Sequence, residues 1–202
     1  METAMMKHKQ IDSPKNRQHG FALMEVLFSI VVLTVGLCGM LAMFSVALAS
    51  TNSTQEDMHA KQEAAETLES IFTARNTSQI TWADIQNTAN GGQFLDGPQP
   101  ILDPGPDGLA GTADDLNANP YCPGPSQCLV MPGSDGILGT ADDVLVPMNN
   151  YQRTILISDV LDPNGVLDPT LRKITITVQY TTTQFKATTK TYAIGGYISQ
   201  YR

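Results

Sequence analysis

Two sets of side chains in this sequence have types and spacings that could do chemistry: aspartates set among glycines, and two cysteines lying between them. The stretch Pro104-Gly105-Pro106-Asp107-Gly108-Leu109-Ala110-Gly111-Thr112-Ala113-Asp114-Asp115-Leu116 returns 28 residues later as Pro132-Gly133-Ser134-Asp135-Gly136-Ile137-Leu138-Gly139-Thr140-Ala141-Asp142-Asp143-Val144, with nine of thirteen positions identical. Each copy offers three carboxylates: Asp107, Asp114 and Asp115 in the first, Asp135, Asp142 and Asp143 in the second. The glycines between them let the backbone fold back so that side-chain and carbonyl oxygens converge, and Ca2+ takes about six to eight such oxygens. The pattern is neither the EF-hand loop, which closes with a bidentate glutamate, nor the glycine-rich nonapeptide repeat. Asp-Gly pairs also form turns with no metal at all. Two readings therefore stand together: calcium binding, or a matched pair of solvated acidic turns. No Lys or Arg occurs between Asn76 and Gln152, so the sequence shows no neighbouring cation to neutralise the six aspartates.

Cys122 and Cys128 lie between the copies, in Tyr121-Cys122-Pro123-Gly124-Pro125-Ser126-Gln127-Cys128. A disulfide here closes a seven-residue ring, worth roughly 2 kcal/mol on the chain-entropy estimate. Zinc is the rival, disfavoured by the five-residue gap and by the lack of any histidine after His59. Beyond residue 20, His59 is the only histidine, and no nucleophile-elbow serine, zinc-helix motif or phosphate-binding glycine loop occurs. The chain therefore reads as a non-enzyme.

These residues are carried on a chain anchored by a different feature. From Phe21 to Ala49 there are 29 residues with one charge, Glu25. As a helix this run is roughly 43 Å long, against a hydrocarbon core of ~30 Å. It is also longer than the apolar part of a secretory signal peptide, about 7–15 residues. Glu25 inside hydrocarbon costs about 2.5–3.5 kcal/mol unless paired. Residues 1–20 carry Lys7, Lys9, Lys15 and Arg17 against Glu2 and Asp12, which predicts that this end stays cytoplasmic and that the rest is exported. Export favours the Cys122–Cys128 bridge. Without residues 1–20, eight basic and eighteen acidic side chains remain, net −10, a poor surface for nucleic acid.

Gly20, Phe21, Leu23, Glu25, Val26 and Leu27, behind a short basic leader, resemble the type IV pilin-like proteins. The resemblance implies that a prepilin peptidase cuts after Gly20 and methylates the new amino terminus of Phe21. It implies too that Glu25 pairs with the terminal amine of a neighbouring subunit, and that the helix bundles with other pilins or pseudopilins in a filament. Glu25-Val26-Leu27, Val35-Gly36-Leu37 and Ile174-Thr175-Ile176-Thr177-Val178 look most like minor pilins of the PilV group. Related helices often carry a proline where they lose regularity; none is present here, and Gly36 and Gly39 are the only helix-weakening residues. Cys38 reads as a small apolar filler.

From Ser50 the chain turns polar but keeps a helical rhythm, with Ala64, Ala65, Leu68, Ile71 and Phe72 as the apolar stripe. One helix is expected from about 21 to 74, ending near Arg75-Asn76-Thr77-Ser78, with a short second helix over 78–87 around Trp82 and Ile85. Residues 151–158, 171–182 and 188–199 alternate and are β-branched, with Ile174, Ile176, Val178 and Tyr180 on one face. Asp162-Pro163-Asn164-Gly165 and Gln184-Phe185-Lys186 mark the reversals, and Gly195-Gly196 suggests a bulge. The expected class is α+β and type IV pilin-like: a long N-terminal helix packed on a C-terminal antiparallel sheet, with an irregular Asp/Gly-rich insertion. Its segments are a cytoplasmic leader (1–20), a membrane or filament-core helix (21–49), an amphipathic continuation with a short second helix (50–89), a loop region with two repeats (90–150) and the sheet (151–202). The function expected from the resemblance is a minor pilin held in the bacterial inner membrane until it enters an extracytoplasmic filament. A minor pseudopilin of type II secretion and a non-polymerising, membrane-anchored calcium-binding domain are the alternatives.

Overall fold

The computed structural model describes residues 19–182 and 187–201, and of residues 19–22 the backbone alone. One α-helix, α1, runs from His19 to Asn76. With no Pro or Gly between Gly39 and Gly91, nothing in the polar half interrupts its hydrogen bonding. The chain divides into two compact units at Leu48/Ala49. In the first, the side chains from Leu23 to Leu48 are all exposed, and their length and apolar composition suit a membrane crossing. In the second, Ala60, Ala64, Thr67, Ile71 and Ala74 form a buried stripe at steps of three and four, flanked by Leu68 and Phe72. Ala65 is exposed, against expectation: one position beyond Ala64 is about 100° around the helix. The end of α1 is sharp. Ser78 adopts a left-handed φ of 63°, Gln79 N–H donates to Ala74 O at 2.9 Å and Ser78 N–H to Arg75 O at 3.2 Å, a Schellman closure with serine in the usual glycine position.

The stripe packs on a four-stranded antiparallel sheet of order β1-β4-β5-β6: β1 Gln99–Pro100, β4 Tyr151–Leu161, β5 Leu167–Thr182 and β6 Thr188–Ser199. Alternation is clean. Tyr151, Arg153, Ile155 and Ile157 point inward from β4, and Ile174, Ile176, Val178 and Tyr180 from β5. Tyr151 and Tyr180 are register partners whose rings stack at 5.2 Å. In the turn after β4, Asp162 accepts from Asn164 and Val166 N–H, and Gly165 supplies a φ of 79°. The Gln184–Lys186 reversal lies outside the described residues. No bulge forms at Gly195-Gly196, where pairing with Thr175 and Ile174 is continuous; the irregularity falls at Asp159/Val160 instead. Those glycines serve packing: a Cβ on Gly196 would meet the Phe72 ring at 3.3 Å.

Residues 77–87 form turns rather than the expected second helix, followed by a 3-10 turn over Thr88–Asn90. Local side-chain bonds compete with helix here. Asp84 takes the N–H and hydroxyl of Thr81, Trp82 Nε1 donates to Pro169 O, and the Arg172 guanidinium lies on the Trp82 ring at 4.3 Å while donating to the carbonyls of Trp82 and Ile85. Buried Asn87 extends the sheet by one amide: its Nδ2 donates to Ile155 O and its Oδ1 accepts from Ile157 N–H, both at 2.8 Å. The insertion is less irregular than expected. Cys128–Met131 (β2) and Val144–Pro147 (β3) pair as a hairpin whose loop is the second aspartate copy.

Candidate functional site

Three groups of residues were singled out by chemistry, and the fold treats each differently. Gly20 and Phe21 fall inside α1, their side chains outside the described part. Glu25 is the one charged side chain from Phe21 to Ala49. The polar hydroxyls of this unit turn back on the helix: Ser29 donates to Glu25 O, Thr34 to Val31 O and Ser45 to Leu41 O, at 2.8–3.0 Å. Those bonds leave residues 23–48 compatible with hydrocarbon everywhere except at the Glu25 carboxylate.

The aspartate copies fold alike. In each, the first aspartate accepts from the N–H two residues on (Leu109 to Asp107, Ile137 to Asp135, both 2.8 Å). The second accepts a threonine hydroxyl (Thr112 to Asp114 at 2.6 Å, Thr140 to Asp142 at 2.7 Å). The third accepts a glycine N–H (Gly111 to Asp115, Gly139 to Asp143, both 2.7 Å). Gly108 and Gly136 have φ of 68° and 72°, Gly111 and Gly139 both 87°, a conformation that side chains with a Cβ resist. The threonine bond is the main cause that holds Asp114 below the usual carboxylate range and Asp142 at about 2. Within each copy the carboxylates thus act as staples for their own loop. Among the described residues, no group of three or more His, Cys, Asp or Glu side chains gathers as a metal cage.

What differs is what surrounds the copies. The first docks on the core: Leu109 is 1% and Ala110 4% exposed, whereas the matching Ile137 and Leu138 are both 61% exposed. The absence of a nearby cation, read from the sequence, is corrected for this copy. Arg153, 38 residues away, lies buried on the inward face of β4 with Nη2 at 3.2 Å from Asp115 and Nη1 3.8 Å from Glu63. Arg153 Nη1 also donates to Thr67 Oγ1 at 3.2 Å, and Gln127 donates to Glu63 at 2.9 Å. Burial raises Glu63 to about 6, raises Asp115 and lowers Arg153, so the cluster carries desolvated charge held by mutual pairing. Sequence reasoning missed Arg153 and Glu63, although one signal was present: an arginine at an inward position of an alternating strand demands an acidic partner.

Cys122 and Cys128 are joined, with Cα atoms 5.6 Å apart, as the spacing suggested. The bridge pins the loop between the copies to the start of β2. No protein-family model matches the chain, and neither a curated protein nor a solved structure is similar to it.

Proposed function

We propose that the protein is a minor pilin-like filament subunit, made with a cytoplasmic leader, held in a bacterial inner membrane by the apolar half of α1 and displaying its acidic unit outside. The observation that carries this reading is α1 itself: a single helix continues from a membrane-length apolar run, charged only at Glu25, into the stripe that covers an antiparallel sheet. An ordinary anchor has no use for a carboxylate at that depth, whereas a helix bundle can pair it with the amino terminus of Phe21 in a neighbouring subunit. The intramolecular disulfide agrees with an exported unit.

The test is the intact mass and amino-terminal sequence of the membrane protein with and without prepilin peptidase. A chain beginning at methylated Phe21 only with the peptidase supports the proposal; one retaining residues 1–20 under both conditions overturns it. Glu25→Ala then separates filament subunit from solitary anchor, since a subunit loses assembly and an anchor does not. Filaments recovered with pilus proteins, rather than with a secretion apparatus, decide between minor pilin and type II pseudopilin.

A further inference from the structure

The two aspartate copies share one fold but not one fate, and the first shows what such a loop binds. Besides the backbone pairing of Leu116 with Asp103, copy one is held from outside its own thirteen residues by the following contacts. Asp115 pairs with Arg153, Leu109 enters the core, and Gly111 approaches Ile155 so closely that a Cβ would overlap its Cδ1. Leu95 N–H donates to Gly111 O at 2.8 Å, and the Gln79 amide to Asp107 O. The recognised surface is therefore an arginine two residues from an isoleucine on one face of a strand, with flanking amide donors.

Copy two presents the same groups with none of these partners. Among the described residues, no side chain or backbone N–H from outside the loop bonds Asp143, Asp135 O or Gly139 O. Gly139 keeps its φ of 87° although nothing lies within 4 Å of the Cβ position. Ile137 and Leu138 are exposed. A loop stapled into the docking shape and lifted off the core on the β2–β3 hairpin is a knob without its socket.

We propose that residues 132–144 dock onto a different protein chain that presents an arginine beside an aliphatic side chain on a strand face. No described arginine of a second copy is free to form the socket. Among the described arginines, Arg153 is taken by Asp115 and Glu63, Arg172 by Trp82 and its neighbouring carbonyls, and Arg75 by the carbonyls of Ser199 and Tyr201. The acidic balance of the chain, net −8 overall, opposes self-association through this face and favours a basic one. This inference does not need the filament reading, since it concerns only residues 49–202.

The test uses the full chain in the membranes of its own cells, with the photo-crosslinker p-benzoylphenylalanine at position 137 and, as control, at position 166 in the exposed β4–β5 turn. The expected result is a heterologous adduct from position 137 only, mapped by mass spectrometry to a partner peptide with an arginine within two residues of an aliphatic side chain. In the position-137 chain, Asp143→Asn then lowers adduct yield about tenfold by removing the charge that pairs with arginine, while its melting temperature stays within about 1 °C of wild type. No adduct, an adduct only with a second copy or with lipid, equal yield from position 166, or a yield unmoved by Asp143→Asn overturns the proposal.

Discussion

Replacing Glu63 by glutamine should make the unit of residues 49–202 more stable at neutral pH, by an amount that grows with pH. Glu63 sits on α1 with its side chain 15% exposed, and desolvation raises it from 4.5 to about 6 despite Arg153 at 3.8 Å. A carboxyl whose folded pKa exceeds its unfolded one holds its proton in the folded state after the unfolded chain has released it. The stability tied to that proton is present below about pH 4.5 and lost as pH rises through about 6. One and a half pKa units correspond to about 2 kcal/mol at pH 7. Glutamine is neutral throughout and keeps an oxygen for the Gln127 amide, while Arg153 keeps Asp115 and Thr67. Urea unfolding of residues 49–202, disulfide intact, at pH 4, 5, 6 and 7 gives the comparison. The variant should match wild type at pH 4 and exceed it by about 2 kcal/mol at pH 7. Taking the difference between the two proteins removes the opposite contribution of Asp114, Asp142, Asp162 and Asp168, whose lowered pKa values favour folding as pH rises through the acid range. A glutamine variant less stable at pH 7, or a difference flat with pH, would show that the Arg153 attraction outweighs burial and sink the argument.

The duplicated aspartates give an internal control: Asp115→Asn should gain on wild type as pH rises from 4 to 7, because burial raises that carboxyl as it raises Glu63, and Asp143→Asn should stay within about 0.5 kcal/mol of wild type, both read from urea midpoints; equal effects would refute the docking described for copy one. Ser78→Gly should stabilise by about 1 kcal/mol, because glycine takes the left-handed φ of 63° without a Cβ penalty, and a lower melting temperature would mean the serine side chain is needed at the helix end. Calcium is retained as a proposed ligand of the loops. Millimolar calcium should raise the melting temperature of wild type but not of the Asp107→Asn, Asp135→Asn double variant, and identical melts in calcium and in chelator would leave the carboxylates as staples alone.

The elements that were legible in the sequence are those whose cause is local. Strands β4, β5 and β6 follow from alternating β-branched residues, α1 from the absence of breakers after Gly39, and the Cys122–Cys128 ring from its spacing. What escaped depends on residues distant in sequence. The 78–87 stretch has helical composition, yet Arg172 and Asn87 tie it to β4 and β5 through bonds that span 68 to 90 positions. Nine identical residues in thirteen conceal opposite environments because the deciding partner, Arg153, lies on β4 rather than in either copy. Copy one is buried where it meets the sheet, with Gly111 against Ile155 and Ala110 4% exposed; copy two carries Leu138 at the alanine position, 61% exposed. The substitution of leucine for alanine and the exposure of Ile137 thus have one physical origin. Copy two is released from the packing that constrains copy one, and its larger apolar surface is available to another chain.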